Sequence, residues 1–202
     1  MTTDYQTFIH LSRYSRWLET EQRRETWDET VNRYMSTWKG MISDKLYKEL
    51  TSSISSLGTM PSMRAMWASG PALERNNITG YNCSYLKVDT SRAFDEAMYI
   101  LMCGTGVGFS VEAIDVNKLP IVNDHFELSG RVISIEDSKE GWSKALRKHI
   151  ADLYLGRVHS FDYSKVRPAG AKLKTMGGRA SGPEPLKELL EFTTNLFKKA
   201  AG

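Results

Sequence analysis

Between Tyr81 and Ser110 the chain reads YNCSYLKVDTSRAFDEAMYILMCGTGVGFS, and two periodicities succeed one another within these thirty residues. Tyr81 to Val88 alternates apolar and polar side chains, as a short strand does. Phe94 to Met102 repeats its apolar residues at three- and four-residue steps, which is the period of a helix. The glycines of Gly104-Thr105-Gly106-Val107-Gly108 then turn the chain into Phe109-Ser110-Val111, which reads as a second strand. Strand, helix, strand is the pattern of a βαβ unit, and it sets the expectation of an α/β core. The same alternation continues downstream. Arg131 to Ile135 is a strand candidate. Gly141 to Leu155 carries Trp142, Leu146, Ile150 and Leu153 at helical spacing. Val158 to Tyr163 is a further strand. A closing helix runs through Leu186, Leu189, Leu190, Phe192 and Phe197.

Upstream of Tyr81 the texture differs. Trp17, Leu18, Trp27, Val31, Tyr34, Met35 and Trp38 form a helical stripe, with charged residues filling the gaps. A second helix is expected from the N-cap Ser43 through Leu46, Tyr47, Leu50 and Ile54, stopping at Gly58. Met60-Pro61-Ser62 opens an irregular segment with turns at Ser69-Gly70-Pro71 and Asn76-Asn77. The expected division is therefore a helical region over 1–57 and an α/β region over 58–202.

Composition narrows the classes of function. The 202 residues are 41% apolar and 25% charged, with 15 glycines and six prolines, which excludes collagen-like and disordered chains. No apolar run is long enough for a membrane span. The N-terminus, MTTDYQTFIHLSRYSRW, is polar and basic where a signal peptide is apolar, so a cytoplasmic location is expected. With 27 basic against 24 acidic residues, the charge is too balanced to argue for direct nucleic-acid binding. Two cysteines, Cys83 and Cys103, make neither a disulfide framework nor a four-cysteine metal site. Any cysteine chemistry is then catalytic or redox.

Single motifs carry little. The turn Gly104–Gly108 has the order helix, glycines, strand, the reverse of a dinucleotide fingerprint, and no phosphate loop of the G-x-x-x-x-G-K-[ST] type exists. A tight connection explains it as well as a ligand does. Arg167 to Pro185, RPAGAKLKTMGGRASGPEP, combines glycines with Lys172, Lys174 and Arg179. That suits either a loop contacting phosphate or base, or a solvated surface loop. Cys103, beside Met102 on an apolar helix, fits a buried small hydrophobe. His10, His125, His149 and His159 show no metal-ligand spacing, and no Ser-His-Asp pattern is visible in the sequence.

Read in order, TWDETVNRY, MPSMRAMWASG, NNITGYNCSYL, LMCGTGVGFSVE and VRPAGAKLKTMGGRASGPEPL resemble the adenosylcobalamin-dependent (class II) ribonucleotide reductases. The monomeric ribonucleoside-triphosphate reductases look nearest. The resemblance implies N-terminal helices followed by about the first half of a ten-stranded α/β barrel, in which a cysteine radical abstracts the ribose 3′ hydrogen. It implies that Cys83 is one of the pair of reducing cysteines. Ser62, Asn82 and Gly106 would join it as substrate contacts. Asp89 and the loop bearing Lys172, Lys174, Gly177, Gly178 and Arg179 would sense a deoxynucleotide effector. That loop is expected to be poorly ordered from Lys172 to Pro183 without nucleotide.

By the same resemblance the cofactor is adenosylcobalamin, bound mainly by regions outside these residues, and no metal site is expected within them. The reductant is a thioredoxin-like dithiol protein. The family's N-P-C-G-E-like radical-cysteine segment, second redox cysteine and C-terminal cysteine pair have no counterpart here. The chain is thus expected to be an N-terminal portion, inactive without its other half. The alternatives are a non-catalytic nucleotide-binding module with the reductase fold, or part of a class I or class III large subunit.

Overall fold

Capping chemistry sets where the first helices begin. Thr3 and Gln6 form a capping box at the start of α1 (Asp4–Ile9), and Thr26 and Glu29 form another at α2 (Trp27–Ser36). Ser43 caps α3 (Asp44–Ser55), accepting the Leu46 N–H. That helix ends differently from the sequence expectation. Leu57, at φ 62°, takes the left-handed position, while the Gly58 N–H reaches back to the Ser53 carbonyl at 2.8 Å. Gly58 is therefore the second residue of the C-terminal motif, not its left-handed one.

A computed structural model describes residues 3–173 and 178–201, and their contacts divide into two units meeting in sequence at Asn82 and Cys83. In the first unit, Trp17 and Leu18 do not extend a helical stripe. They form β1 (Trp17–Leu18), paired antiparallel with β2 (Arg23–Arg24). The segment expected to be irregular contains two short helices, α4 (Met63–Ala68) and α5 (Pro71–Arg75). Ser62 caps the former, and Pro71 suits the first turn of the latter because its missing N–H would be unpaired there anyway. Trp27, Val31, Met35, Ile54 and Met66 form the core.

A polar cluster ties this unit together. The Arg33 guanidinium donates to both Glu25 oxygens at 2.8 and 3.0 Å, and to the carbonyls of Tyr14, Met66 and Ser69. Burial pushes the Glu25 carboxyl up. The hydrogen bonds from Arg33, the Arg16 backbone and Thr30 outweigh that and hold it below its ordinary value.

The second unit is α/β, as expected. β3 (Cys83–Lys87), α6 (Arg92–Met102) and β4 (Gly106–Ser110) make one parallel strand–helix–strand unit, with Cys83 opposite Gly106 and Tyr85 opposite Gly108. The last two glycines of the expected turn thus lie inside a strand. After the short α7 (Ala113–Val116), a second such unit follows: β5 (Glu127–Ser134), α8 (Lys139–Tyr154) and β6 (Arg157–Asp162), again parallel. α9 (Glu184–Ala200) packs on α8, and Ile135, Leu146, Ile150, Leu186 and Leu190 fill the core between them. Among the described residues there are three two-stranded sheets and no closed barrel. None of the described helices is long and apolar enough to cross a membrane.

Candidate functional site

Cys83 begins β3, and the alternation of that strand exposes Cys83, Tyr85 and Lys87 while half-burying Ser84 and Leu86. Partners across a parallel ladder present their side chains to the same face. The position beside Cys83 is Gly106, and the one beside Tyr85 is Gly108. Neither carries a side chain, so the thiol lies next to bare backbone that a ligand can approach closely. The Ser84 hydroxyl donates to the Gly106 carbonyl at 3.0 Å and fixes the register at this point. α6 packs on both strands. Cys83 is an exposed free thiol, whereas Cys103 is a buried one that caps α6, with the Lys139 ammonium 3.3 Å from its sulfur.

The other expected site residues are placed as follows. Asn82 precedes Cys83 directly and is exposed. Ser62 belongs to the first unit, where its hydroxyl accepts the Ala65 N–H at the start of α4. Asp89 lies in the turn between β3 and α6. It adds to the negative field around Lys118, whose ammonium is held above its ordinary value chiefly by its hydrogen bond to Asp115. Tyr85, 66% exposed on the Cys83 face, was not singled out from the sequence, although the alternation of YNCSYLKV places it there.

The glycine-rich loop is more structured than expected at its base. Leu173 N–H donates to the Gly178 carbonyl, Ala180 N–H to Ala171, and Gly170 N–H to Ala180. Lys172 and Arg179 form a β-bridge, and the Arg179 guanidinium donates to the Gly170 carbonyl at 2.9 Å. These bonds make a hairpin stem at the base of the loop. Gly178, at φ 90°, supplies the left-handed turn on its descending arm. Lys174 and Gly177 lie outside the described residues.

Residues 108–196 match the family model described as the B12-dependent ribonucleotide reductase insertion domain. Over 86% of its length the chain is 30% identical to the adenosylcobalamin-dependent ribonucleoside-triphosphate reductase of Euglena gracilis, covering 26% of that protein. Over 94% it is 26% identical to the enzyme of the same name from Lactobacillus helveticus, covering 35% of it. Over most of its length the chain is similar to adenosylcobalamin-dependent ribonucleotide reductases. A crystal structure of a B12-dependent, class II ribonucleotide reductase shares its fold with a TM-score of 0.79 at 24% identity, over 97% of this chain and 37% of the other. The chain thus spans about a third or less of the reductases it matches.

The described residues line a cavity of about 500 Å³ between β6 and α9, and another of about 320 Å³ beside His10 and Trp27. No group of three or more metal-ligating side chains occurs among the described residues.

Proposed function

We propose that this chain is the N-terminal portion of an adenosylcobalamin-dependent ribonucleoside-triphosphate reductase, and that Cys83 is one of its two reducing thiols. The observation that carries the reading is the exposed Cys83 thiol set beside side-chain-free backbone at Gly106 and Gly108. A ribose needs such clearance to reach a thiol fixed on a strand. The reduction replaces the 2′ hydroxyl by hydrogen and releases water, while two thiols become a disulfide. The second thiol, the radical cysteine and the cobalamin site would lie outside these residues. So would the strands that complete a ten-stranded barrel begun within 58–202. Asn82 and Ser62 would contribute substrate contacts. Asp89 and the loop bearing Lys172, Lys174, Gly177, Gly178 and Arg179 would read a deoxynucleotide effector. A thioredoxin-like dithiol protein would return the cysteine pair to its reduced state.

Two measurements test this. Ribonucleoside triphosphate should slow the alkylation of Cys83 by iodoacetamide; an unchanged rate at saturating nucleotide counts against a substrate site there. The chain alone, given adenosylcobalamin, ribonucleoside triphosphate and a dithiol, should show no turnover. Turnover without another polypeptide would overturn the assignment as a portion of the enzyme.

A further inference from the structure

The second unit assembles a constellation that the linear sequence conceals. β5 and β6 pair at Leu128 with Val158 and again at Val132 with Ser160. Ser129, Gly130 and Arg131 therefore bulge opposite the single residue His159. Bulges re-aim side chains out of a ladder's regular alternation. Gly130 adopts φ 68°, and the space a side chain would occupy there is open. The half-exposed Ser129 hydroxyl contacts Nδ1 of His159, and its oxygen also accepts the Arg131 N–H at 3.2 Å. On the far side of the ring, Nε2 of His159 lies 2.6 Å from a carboxylate oxygen of Asp152 on α8.

The roles follow from this chain of contacts. The Asp152 carboxylate is an acceptor, so Nε2 carries the proton and Nδ1 presents its lone pair to Ser129. His159 is only 7% exposed, which shields the ring from competing water. Base, orienting carboxylate and partly accessible hydroxyl are the three parts of an activated serine, which is recognised by geometry and not by sequence order.

We propose that Ser129, activated by His159 and oriented through Asp152, is a nucleophilic site for activated acyl and phosphonyl groups. This site is independent of the reductase reading. As the Oγ–C bond to an ester carbonyl forms, the Oγ proton moves to Nδ1. The ester C–O bond then breaks, and the alcohol leaves with that proton, giving acyl-Ser129. A water deprotonated at the same nitrogen releases the acid and restores the hydroxyl. With a fluorophosphonate the Oγ–P bond forms, fluoride leaves, and the proton stays on the imidazole.

The test treats the whole chain with a biotinylated fluorophosphonate, maps the adduct by peptide mass spectrometry, and follows release of p-nitrophenol from p-nitrophenyl acetate. The native protein should carry one adduct on Ser129. Ser129→Ala should carry none there. Asp152→Asn, which reverses the ring tautomer, should react at least about tenfold more slowly while its circular dichroism is unchanged. No adduct on the native protein, or an adduct that persists in Ser129→Ala, overturns the proposal. An Asp152→Asn protein that labels Ser129 at the native rate overturns it too, because the hydroxyl would then be merely exposed.

Discussion

Arg33 joins Glu25, Tyr14, Met66 and Ser69 through one guanidinium, whose side chain is 13% exposed against 6% for its carboxylate partner. Removing it strands a buried carboxylate and frees several backbone carbonyls at once. Arg33→Ala is therefore expected to destabilise the first unit by about 3–5 kcal/mol. Urea unfolding followed by tryptophan fluorescence reads this well, because four of the five tryptophans, Trp17, Trp27, Trp38 and Trp67, lie before Cys83 and only Trp142 lies after it. A loss below about 1 kcal/mol would mean that Glu25 finds water instead. Cys83→Ser offers a contrast. Its side chain is exposed and nearly isosteric, so the unfolding midpoint should stay put while alkylation at that position disappears. Cys103→Ala removes a fully buried sulfur and should lower stability by about 1 kcal/mol, with no effect on Cys83 reactivity. Cys83 could be singled out from the sequence because its neighbours resemble a known motif. Ser129, Asp152 and His159 could not. Ser129 lies thirty residues before His159 and meets it only through the bulge between β5 and β6, while Asp152 reaches the ring from α8.

α8 begins tightly. A Cβ at Gly141 would stand 2.5 Å from the Glu136 carbonyl oxygen and 2.8 Å from its Cβ, so alanine cannot fit without moving backbone. Alanine is favoured over glycine in a helix by about 1 kcal/mol, but the clash costs about 1–3 kcal/mol. The clash should win, and Gly141→Ala should lower the thermal midpoint; a rise would show that the 136–141 turn yields easily. Where apolar periodicity was strong, as in α2, α3, α6, α8 and α9, the helices could be read from sequence. Three local features could not. Trp17 and Leu18 fit a helical spacing but pair with Arg23 and Arg24, a contact that periodicity does not encode. Residues 63–75 fold into helices too short to display a period. Leu57 takes a left-handed turn that composition would assign to the adjacent glycine. The base of the glycine-rich loop follows the same rule, since its cross-strand hydrogen bonds are invisible to a count of flexible residues.

Acid response brings both units into one measurement. In the first, burial is the largest influence on His10 and lowers its affinity for a proton despite the nearby Glu25. In the second, burial does the same to His149, outweighing the hydrogen bond to the Leu190 carbonyl. The His149 ring is fully buried, with Nε2 3.0 Å from that carbonyl and Nδ1 without a hydrogen-bond partner among the described residues, so protonation would create a buried N–H that none of them accepts. Both groups bind protons less readily folded than unfolded, where the ordinary value is 6.5. As pH falls below 6.5 the unfolded chain takes up protons that the folded chain refuses, and the unfolding free energy must drop. The slope approaches about 1.4 kcal/mol per pH unit for each histidine, until its folded form also protonates. Glu25 adds a later loss. Its folded value lies below the ordinary 4.5, so the stability it contributes is complete above 4.5 and disappears as pH falls through the folded value. Stability should therefore be flat between the histidine and tyrosine ranges, decline as pH falls through the histidine window, and decline again below 4.5. His149→Phe keeps an aromatic ring against Phe161, and Thr194 still donates to the Leu190 carbonyl. That variant should start less stable at pH 7 yet lose part of the slope between pH 6.5 and 5. Urea unfolding of both proteins across this range decides the matter: equal slopes would show that His149 takes up its proton in the fold as easily as in the unfolded chain.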